Sequence, residues 1–468
     1  MTIEQKIKQA MPIAMALILL VLTTLVSQAQ PSKQDARYYK RGVERFQKGD
    51  WEGAIAHFDK VIEASLDNTA AFESAEPKAV DKDDSLMLNF GELVVPISRT
   101  AAAYYARGLA RLHKGELDEA VSDFDRSLQM APRNAEAWSN RGIAKHRQGE
   151  LAEALANFNR AIAIFPRHSL ALYNRGVLLF AQNELDQAHA NFNKVLSINP
   201  RNIDAYLNRA AIRQRQNDLA GALADCTQAL KLDARNPMAW NNCGIVRLGQ
   251  NDFNGAITDF TRFIALAPED AAGYVNRSTV YLEKGDAKAA WADAERALEL
   301  DPQLPQAWGN RALARQRRGE WDAALADYSR ALELDPKLTK AWFNRGNVHF
   351  QQGQCEKALA DFNQTLALDP QMTSAYNNRG NAHFVLKNFA AAVADYNQAL
   401  ALDARLGIAY LNRGLTRLLL WQDAEAEQDF ARYRQLIPNT MADMEARIVE
   451  AKQQREANKQ LAALPDQF

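Results

Sequence analysis

Apolar and polar residues run along most of this chain in two helical bursts that recur at one fixed interval, the step from Ala120 to Ala154 and on to Ala188. From Ala101 onward, apolar residues return at three- and four-residue spacing over roughly positions 1–14 of each unit and again over 17–30. That is the spacing of one buried face of an α-helix. Between the bursts, Gly115, Gly149, Asn183, Asn217, Asn251, Gly285, Gly319 and Gly353 fill one slot. A helix ends there on a left-handed residue. A proline near the end of most units, such as Pro132, Pro166, Pro200 and Pro438, stops the second helix. The pattern predicts ten contiguous helical pairs, helix A then helix B, over 101–440.

Numbered 1 to 34 from Ala101, position 20 is alanine in all ten units, from Ala120 to Ala426. Position 4 is aromatic in nine (Trp138, Trp240, Trp308, Trp342) and position 24 in eight (Phe124, Phe158, Tyr328). Position 8 is small, and position 32 is proline in eight. Small residues let two helices approach, and the aromatics fill the gaps beside them. One unit cannot bury its own apolar faces, so stacked neighbours must supply the core. The arrangement resembles the tetratricopeptide repeat (TPR) family, whose signature places aromatic, small, alanine, aromatic and proline at these offsets. The resemblance implies an all-α fold, a right-handed α-solenoid of stacked helix-turn-helix units.

A degenerate copy comes first. Tyr38, Arg41-Gly42, Gly49, Trp51, Ala54 and Phe58 match a unit over 35–68, and the next unit starts late, at Ala101 instead of directly after Asn68. Residues 69–100 are therefore an insert, read as an irregular excursion anchored by the apolar run Leu93–Ile97. After Pro438, Met441, Met444, Ile448 and Ala451 lie at helical spacing, so 441–468 reads as a capping helix with a frayed tail. At about 150 residues per domain the length would suggest three domains. The repeats, read as one continuous array, account for it instead and leave no stretch for a catalytic domain.

Residues 1–29 read as an export signal. Lys6 and Lys8 precede a short apolar stretch, Met11–Val26, and Ser27-Gln28-Ala29 ends in the small-x-small pattern of a cleavage site after Ala29. Residues 30–34 would be a linker. The alternative is an uncleaved anchor, with the lysines inside and the repeats outside. Either way the sequence predicts an exported, periplasmic or extracytoplasmic protein, or a membrane-anchored one facing out.

In the family, positions 2, 5, 6, 9, 12 and 13 of helix A point into the groove. Position 6 is Asn140, Asn174, Asn208, Asn242, Asn276, Asn310, Asn344, Asn378 and Asn412, with only Ala106 departing. An asparagine amide offers two donors and an acceptor, enough to pair with one peptide unit. The series resembles the asparagine ladder inside the TPR superhelix of eukaryotic O-linked N-acetylglucosamine transferase, whose catalytic part is absent here. The resemblance implies a groove that holds extended polypeptide by its backbone; the competing reading is local bonding. Arg147, Arg215 and Arg317 at position 13 add a weakly basic middle. The last unit presents Ile408, Leu411, Leu415, Leu418 and Leu419, read as a seat for the tail helix rather than a partner groove.

Position 7 is arginine in nine units and position 23 aspartate in eight. Each Arg is expected to meet the position-23 Asp of its own unit, as Arg311 would meet Asp327, or that of the preceding unit, as Arg311 would meet Asp293. Such pairs would fix the stacking register. Cys226, Cys243 and Cys355 replace core residues; free thiols are expected, with a Cys226–Cys243 bridge as the alternative. His349 and His383 share position 11 and are read as surface histidines. Asp81, Asp83, Ser85, Asn89 and Glu92 follow calcium-loop spacing, but Leu86 stands where that loop needs glycine. Lys plus Arg number 56 against 57 for Asp plus Glu, which gives no support to nucleic-acid binding. No catalytic set, metal site or cofactor is expected. The functional expectation is a non-enzymatic protein-binding scaffold of unidentified partners, organising an envelope complex; the alternative is a membrane-anchored assembly factor.

Overall fold

The computed structural model describes residues 33–72, 85–89, 94–438 and 441–462, so residues 1–29, read above as an export signal, and half of the insert lie outside the described residues. The array, continuous in sequence, divides into two compact units, Met1–Ala234 and Arg235–Phe468.

In the first unit, the degenerate copy is a helical pair, Lys33–Gln47 and Trp51–Phe72. Four regular pairs follow: Arg99–Lys114 with Leu117–Met130, Ala135–Arg147 with Leu151–Ile164, Ser169–Ala181 with Leu185–Ile198, and Ile203–Arg215 with Leu219–Leu232. The insert is not wholly irregular. Its described part holds two strands, β1 (Ser85–Asn89) and β2 (Val94–Ser98), paired antiparallel with Ser85 opposite Ser98. Ser85 and Asn89 of the calcium-loop spacing therefore sit on a strand, while Asp81, Asp83 and Glu92 lie outside the described residues. Ile97 is buried, and Ser98 caps the next helix by accepting from the Ala101 N–H at 3.2 Å.

In the second unit six pairs run from Pro237 to Leu436. The last helix, Met441–Ala462, packs on the final helix A, Gly407–Leu419. Leu411, Leu415 and Leu418 form one buried cluster with Met444 and Ala451. Leu411, Leu415 and Leu418 of the last repeat are thus the seat of the tail helix, while Ile408 of the same face stays 38% exposed.

The repeated residues build each pair as the sequence predicts. All ten position-20 alanines are fully buried, at 0% exposure. At Gly142 the helices come so close that a Cβ would stand 2.7 Å from Cε1 of Phe158. Where position 24 is small, as at Cys226 and Ala294, position 8 has grown to Ala210 and Ser278. The inter-helix slot takes positive φ at all eight predicted residues, and also at Lys387 and Trp421. Three position-4 tryptophans, Trp138, Trp308 and Trp342, donate from Nε1 to the carbonyl of the proline six residues earlier, each at 2.9 Å. That bond fixes the turn between one repeat and the next. All three cysteines are free and buried, so no Cys226–Cys243 bridge forms. Among the described residues no helix is long and apolar enough to cross a membrane, and no group of His, Cys, Asp and Glu is placed to hold a metal ion.

Candidate functional site

Most of the position-6 asparagines are held by the repeat before them. In the first unit, Asn140 Nδ2 donates to Tyr105 Oη at 3.1 Å and to the carbonyl of Glu136 at 2.9 Å. Asn208 repeats this with Tyr173 at 3.1 Å and the carbonyl of Asp204 at 2.8 Å. Between them the position-5 residue is Ser139, too short for that reach. Ser139 Oγ and Asn174 Nδ2 are both buried without a partner.

The second unit uses the same link with other acceptors. Asn276 Nδ2 donates to Asn241 Oδ1 at 2.8 Å, and Asn310 Nδ2 to the Val275 carbonyl at 3.1 Å and Thr279 Oγ1 at 3.0 Å. Asn378 donates to Asn347 Oδ1 at 2.8 Å, and Asn412 to Asn381 Oδ1 at 3.0 Å. Asn344 instead lies beside the Tyr328 hydroxyl, which donates to Gln316 Oε1 at 2.7 Å, and Asn242 is half-buried. A mid-helix asparagine costs helix propensity; a bond between neighbouring helices A offsets it. Within each unit, most ladder residues thus spend Nδ2 on the preceding repeat.

The groove arginines dock in the same direction. Arg147 Nη1 donates to the Leu112 carbonyl at 3.0 Å, and Arg317 makes the equivalent bond to the Leu282 carbonyl. Arg215 stacks its guanidinium on Phe180, 4.3 Å from the ring centre. A cation on the last carbonyls of a helix also meets the negative end of its dipole. Burial, reinforced by Arg147, pulls His113 and His146 below the ordinary imidazole value.

Away from the ladder, position 7 forms a series of staples. Arg209, Arg277, Arg311, Arg345, Arg379 and Arg413 each make a two-pronged bond to the aspartate 16 residues later, at 2.5–3.0 Å. The second partner is 16 residues earlier, at position 25 of the preceding repeat rather than its position-23 aspartate: Asn193, Thr261, Glu295, Ser329, Asn363 and Asn397 take the remaining Nη1. Arg175 uses Asn159 in the same way, while Arg141 reaches Asp125 through Nε and gives Nη1 to Asn157. The guanidinium also lies over the position-4 ring, at 4.6 Å for Trp308 and 4.7 Å for Trp342. Sequence reasoning found the aspartate because it is nearly constant. It missed the earlier partner because that position is polar without being one residue type.

Position 11 sends a second cation to the same aspartate: Arg111, Arg213, Arg315 and Arg417 reach it at 2.7–2.8 Å. His349 and His383 take that place in their repeats, with Nε2 at 4.0 and 3.9 Å from Asp361 and Asp395. They are half-buried members of this network rather than surface histidines. In one repeat the staple is missing. Cys243 occupies position 7, so Asp259 keeps only Arg247 (2.6 Å), and its Oδ2 is buried without a partner. Burial, only partly offset by Arg247, pushes the Asp259 carboxyl up to about 6.

Models of the tetratricopeptide repeat match residues 99–167 and 133–201, and 173–239, 244–305 and 344–406; a TPR repeat model matches 317–353. No curated protein matches the chain. Among solved structures it is similar to a tetratricopeptide repeat protein from Parabacteroides merdae, at 21% identity over 50% of this chain and 93% of that one, with a TM-score of 0.44. The Cut9-Hcn1 hetero-tetramer of the APC/C is matched at 15% identity over 90% of each chain, TM-score 0.49. Yeast Tom70 is matched at 14% identity over 93% of this chain and 98% of that one, TM-score 0.41.

Proposed function

The chain belongs to the tetratricopeptide repeat family, and from that premise we propose that it is a non-enzymatic scaffold that holds extended polypeptide along the asparagine-bearing face of its A helices. The observation that carries this reading is the register of the amides. Nδ2 of Asn140, Asn208, Asn276, Asn310 and Asn412 is spent on the preceding repeat, and their Oδ1 takes no part in those bonds. Each Oδ1 is therefore oriented in advance as an acceptor for a backbone N–H, and preorganisation lowers the cost of binding. A cargo held by its backbone is selected by length and extension more than by sequence.

The test uses the full chain and a random pool of fluorescent 12-residue peptides. Asn276 and Asn310 are changed to alanine, together and singly, and affinity and melting temperature are both measured. Weaker binding with the melting temperature kept is the expected result. Unchanged affinity overturns the ladder.

For location we propose export, resting on Lys6, Lys8, the apolar run Met11–Val26 and Ser27-Gln28-Ala29, with an envelope complex as the setting. N-terminal sequencing of the cell-derived protein decides between a chain starting at Gln30 and one retained whole in the membrane. The second outcome favours the anchored assembly factor.

A further inference from the structure

Near the end of the second unit the inner face opens into a cavity of about 280 Å³. Phe350, Phe384, Val385 and Leu415 give it apolar walls, and Arg447 of the tail helix stands at its side. Val385 is 54% exposed, a wide-open apolar side chain. Polar groups inside the cavity are already ordered. Tyr396 Oη donates to Asn381 Oδ1 at 2.8 Å, and Asn412 Nδ2 donates to the same oxygen at 3.0 Å. With its oxygen taken twice, Asn381 is fixed so that its Nδ2 donors remain for a ligand.

Arg447 differs from the repeat arginines. Most of those at positions 7 and 11 spend their charge on the aspartates of the staples, whereas Arg447 makes no ion pair or hydrogen bond among the described residues. Its charge is felt by the Tyr396 hydroxyl in the cavity wall. The ligand chemistry follows from this set: an apolar group for the walls, and an anion for one guanidinium and one amide. A half-buried cation without a counter-charge is costly, and a carboxylate supplies planar, two-pronged acceptors for it.

We propose that this cavity binds one point of an extended peptide, a large apolar side chain followed two residues on by aspartate or glutamate, because alternate side chains of an extended chain face the same way. The apolar side chain lies against Phe384, Val385 and Leu415, and the carboxylate meets Arg447 and Asn381 Nδ2. This rests on the reading of the inner face as a polypeptide groove and adds to it a place where cargo sequence is read. A volume of about 280 Å³ admits a single large side chain, which is the scale of a sequence-reading pocket on an otherwise backbone-holding surface.

The test measures anisotropy of two labelled, end-capped nine-residue peptides, alanine-rich with Phe-Ala-Glu or Phe-Ala-Gln at the centre, against the full chain. Phe-Ala-Glu is expected to bind at least about tenfold tighter. Arg447→Glu should abolish that preference, and Val385→Asp should weaken both peptides, with melting curves showing that both variants fold. Equal affinity for the two peptides overturns the proposal. If random extended peptides bind but neither variant changes Phe-Ala-Glu binding, the cavity fails while the groove reading stands. If no peptide binds at all, both fail. Self-association in sedimentation that Val385→Asp abolishes would assign the cavity to a second copy and overturn the peptide as occupant.

Discussion

Arg107 reaches across the insert to Asp59, its Nη1 2.5 Å from the carboxylate, although 48 residues of chain separate them. Everywhere else the backward arm of the staple spans 16 residues, as from Arg413 to Asn397. The excess equals the length of the insert, so residues 69–100 leave and rejoin without disturbing the step from the degenerate copy to the first full repeat.

Deleting residues 69–100 should therefore give a folded chain. The junction would place Asn68 directly before Ala101, at the unit position where Asn134, Asn202 and Asn236 accept an amide as helix caps. A cooperative melt within a few degrees of the parent is expected, and loss of helical signal by circular dichroism would refute it. Asp59→Ala in the same background should loosen only the first pair, seen as faster hydrogen exchange in residues 33–65.

The repeat period, the paired helices and the tail seat were legible because each rests on a residue type that recurs. The Arg311–Asp327 arm was legible for the same reason. The arm to Glu295 was not, because hydrogen-bonding capacity there is supplied by Asp, Asn, Thr, Glu or Ser in different repeats, and only geometry shows they do one job. The same applies to the ladder: Asn276 and Asn310 are visible in sequence, but their acceptors, Asn241 Oδ1 and the Val275 carbonyl, share no identity.

The two arms of a staple should differ sharply in worth. Asp327 is nearly buried and receives Arg311 at 2.9 Å and Arg315 at 2.7 Å. Asp327→Ala leaves two cations without it and should cost about 3–5 kcal/mol. Glu295 is 36% exposed in its side chain and 3.3 Å from Arg311, so Glu295→Gln should cost less than about 1 kcal/mol. Urea denaturation of both variants checks the ratio, and equal costs would contradict a buried register device.

Lys387 occupies the left-handed slot at φ 61°, where eight units of the array have glycine or asparagine with the same sign of φ. A side chain with a Cβ is strained there by about 1 kcal/mol, and the unfolded chain regains part of that as entropy when glycine replaces it. Lys387→Gly should therefore raise stability slightly, by up to about 1 kcal/mol in urea denaturation. A loss of stability would mean that the lysine makes a contact worth more than the strain.

The orphaned carboxylate predicts a pH effect of unusual sign. Asp259 titrates near 6 in the folded chain against an ordinary 3.8, because burial outweighs its single bond to Arg247. Between those values the folded state holds a proton that the unfolded state has lost. Stability from this group is therefore complete below about pH 4 and lost as pH rises through about 6. At neutral pH the buried charge is a net cost, about 1–2 kcal/mol once screening by nearby solvent is counted. Cys243→Arg restores the residue type that grips the matching aspartate in the other repeats, as Arg311 grips Asp327. The expected outcome is a variant more stable than the parent at pH 7.5, with the advantage shrinking toward pH 4 as Asp259 is protonated in the parent. Urea midpoints across that range measure it, and parallel pH profiles for the two proteins would mean that Asp259 Oδ2 has a counter-charge after all.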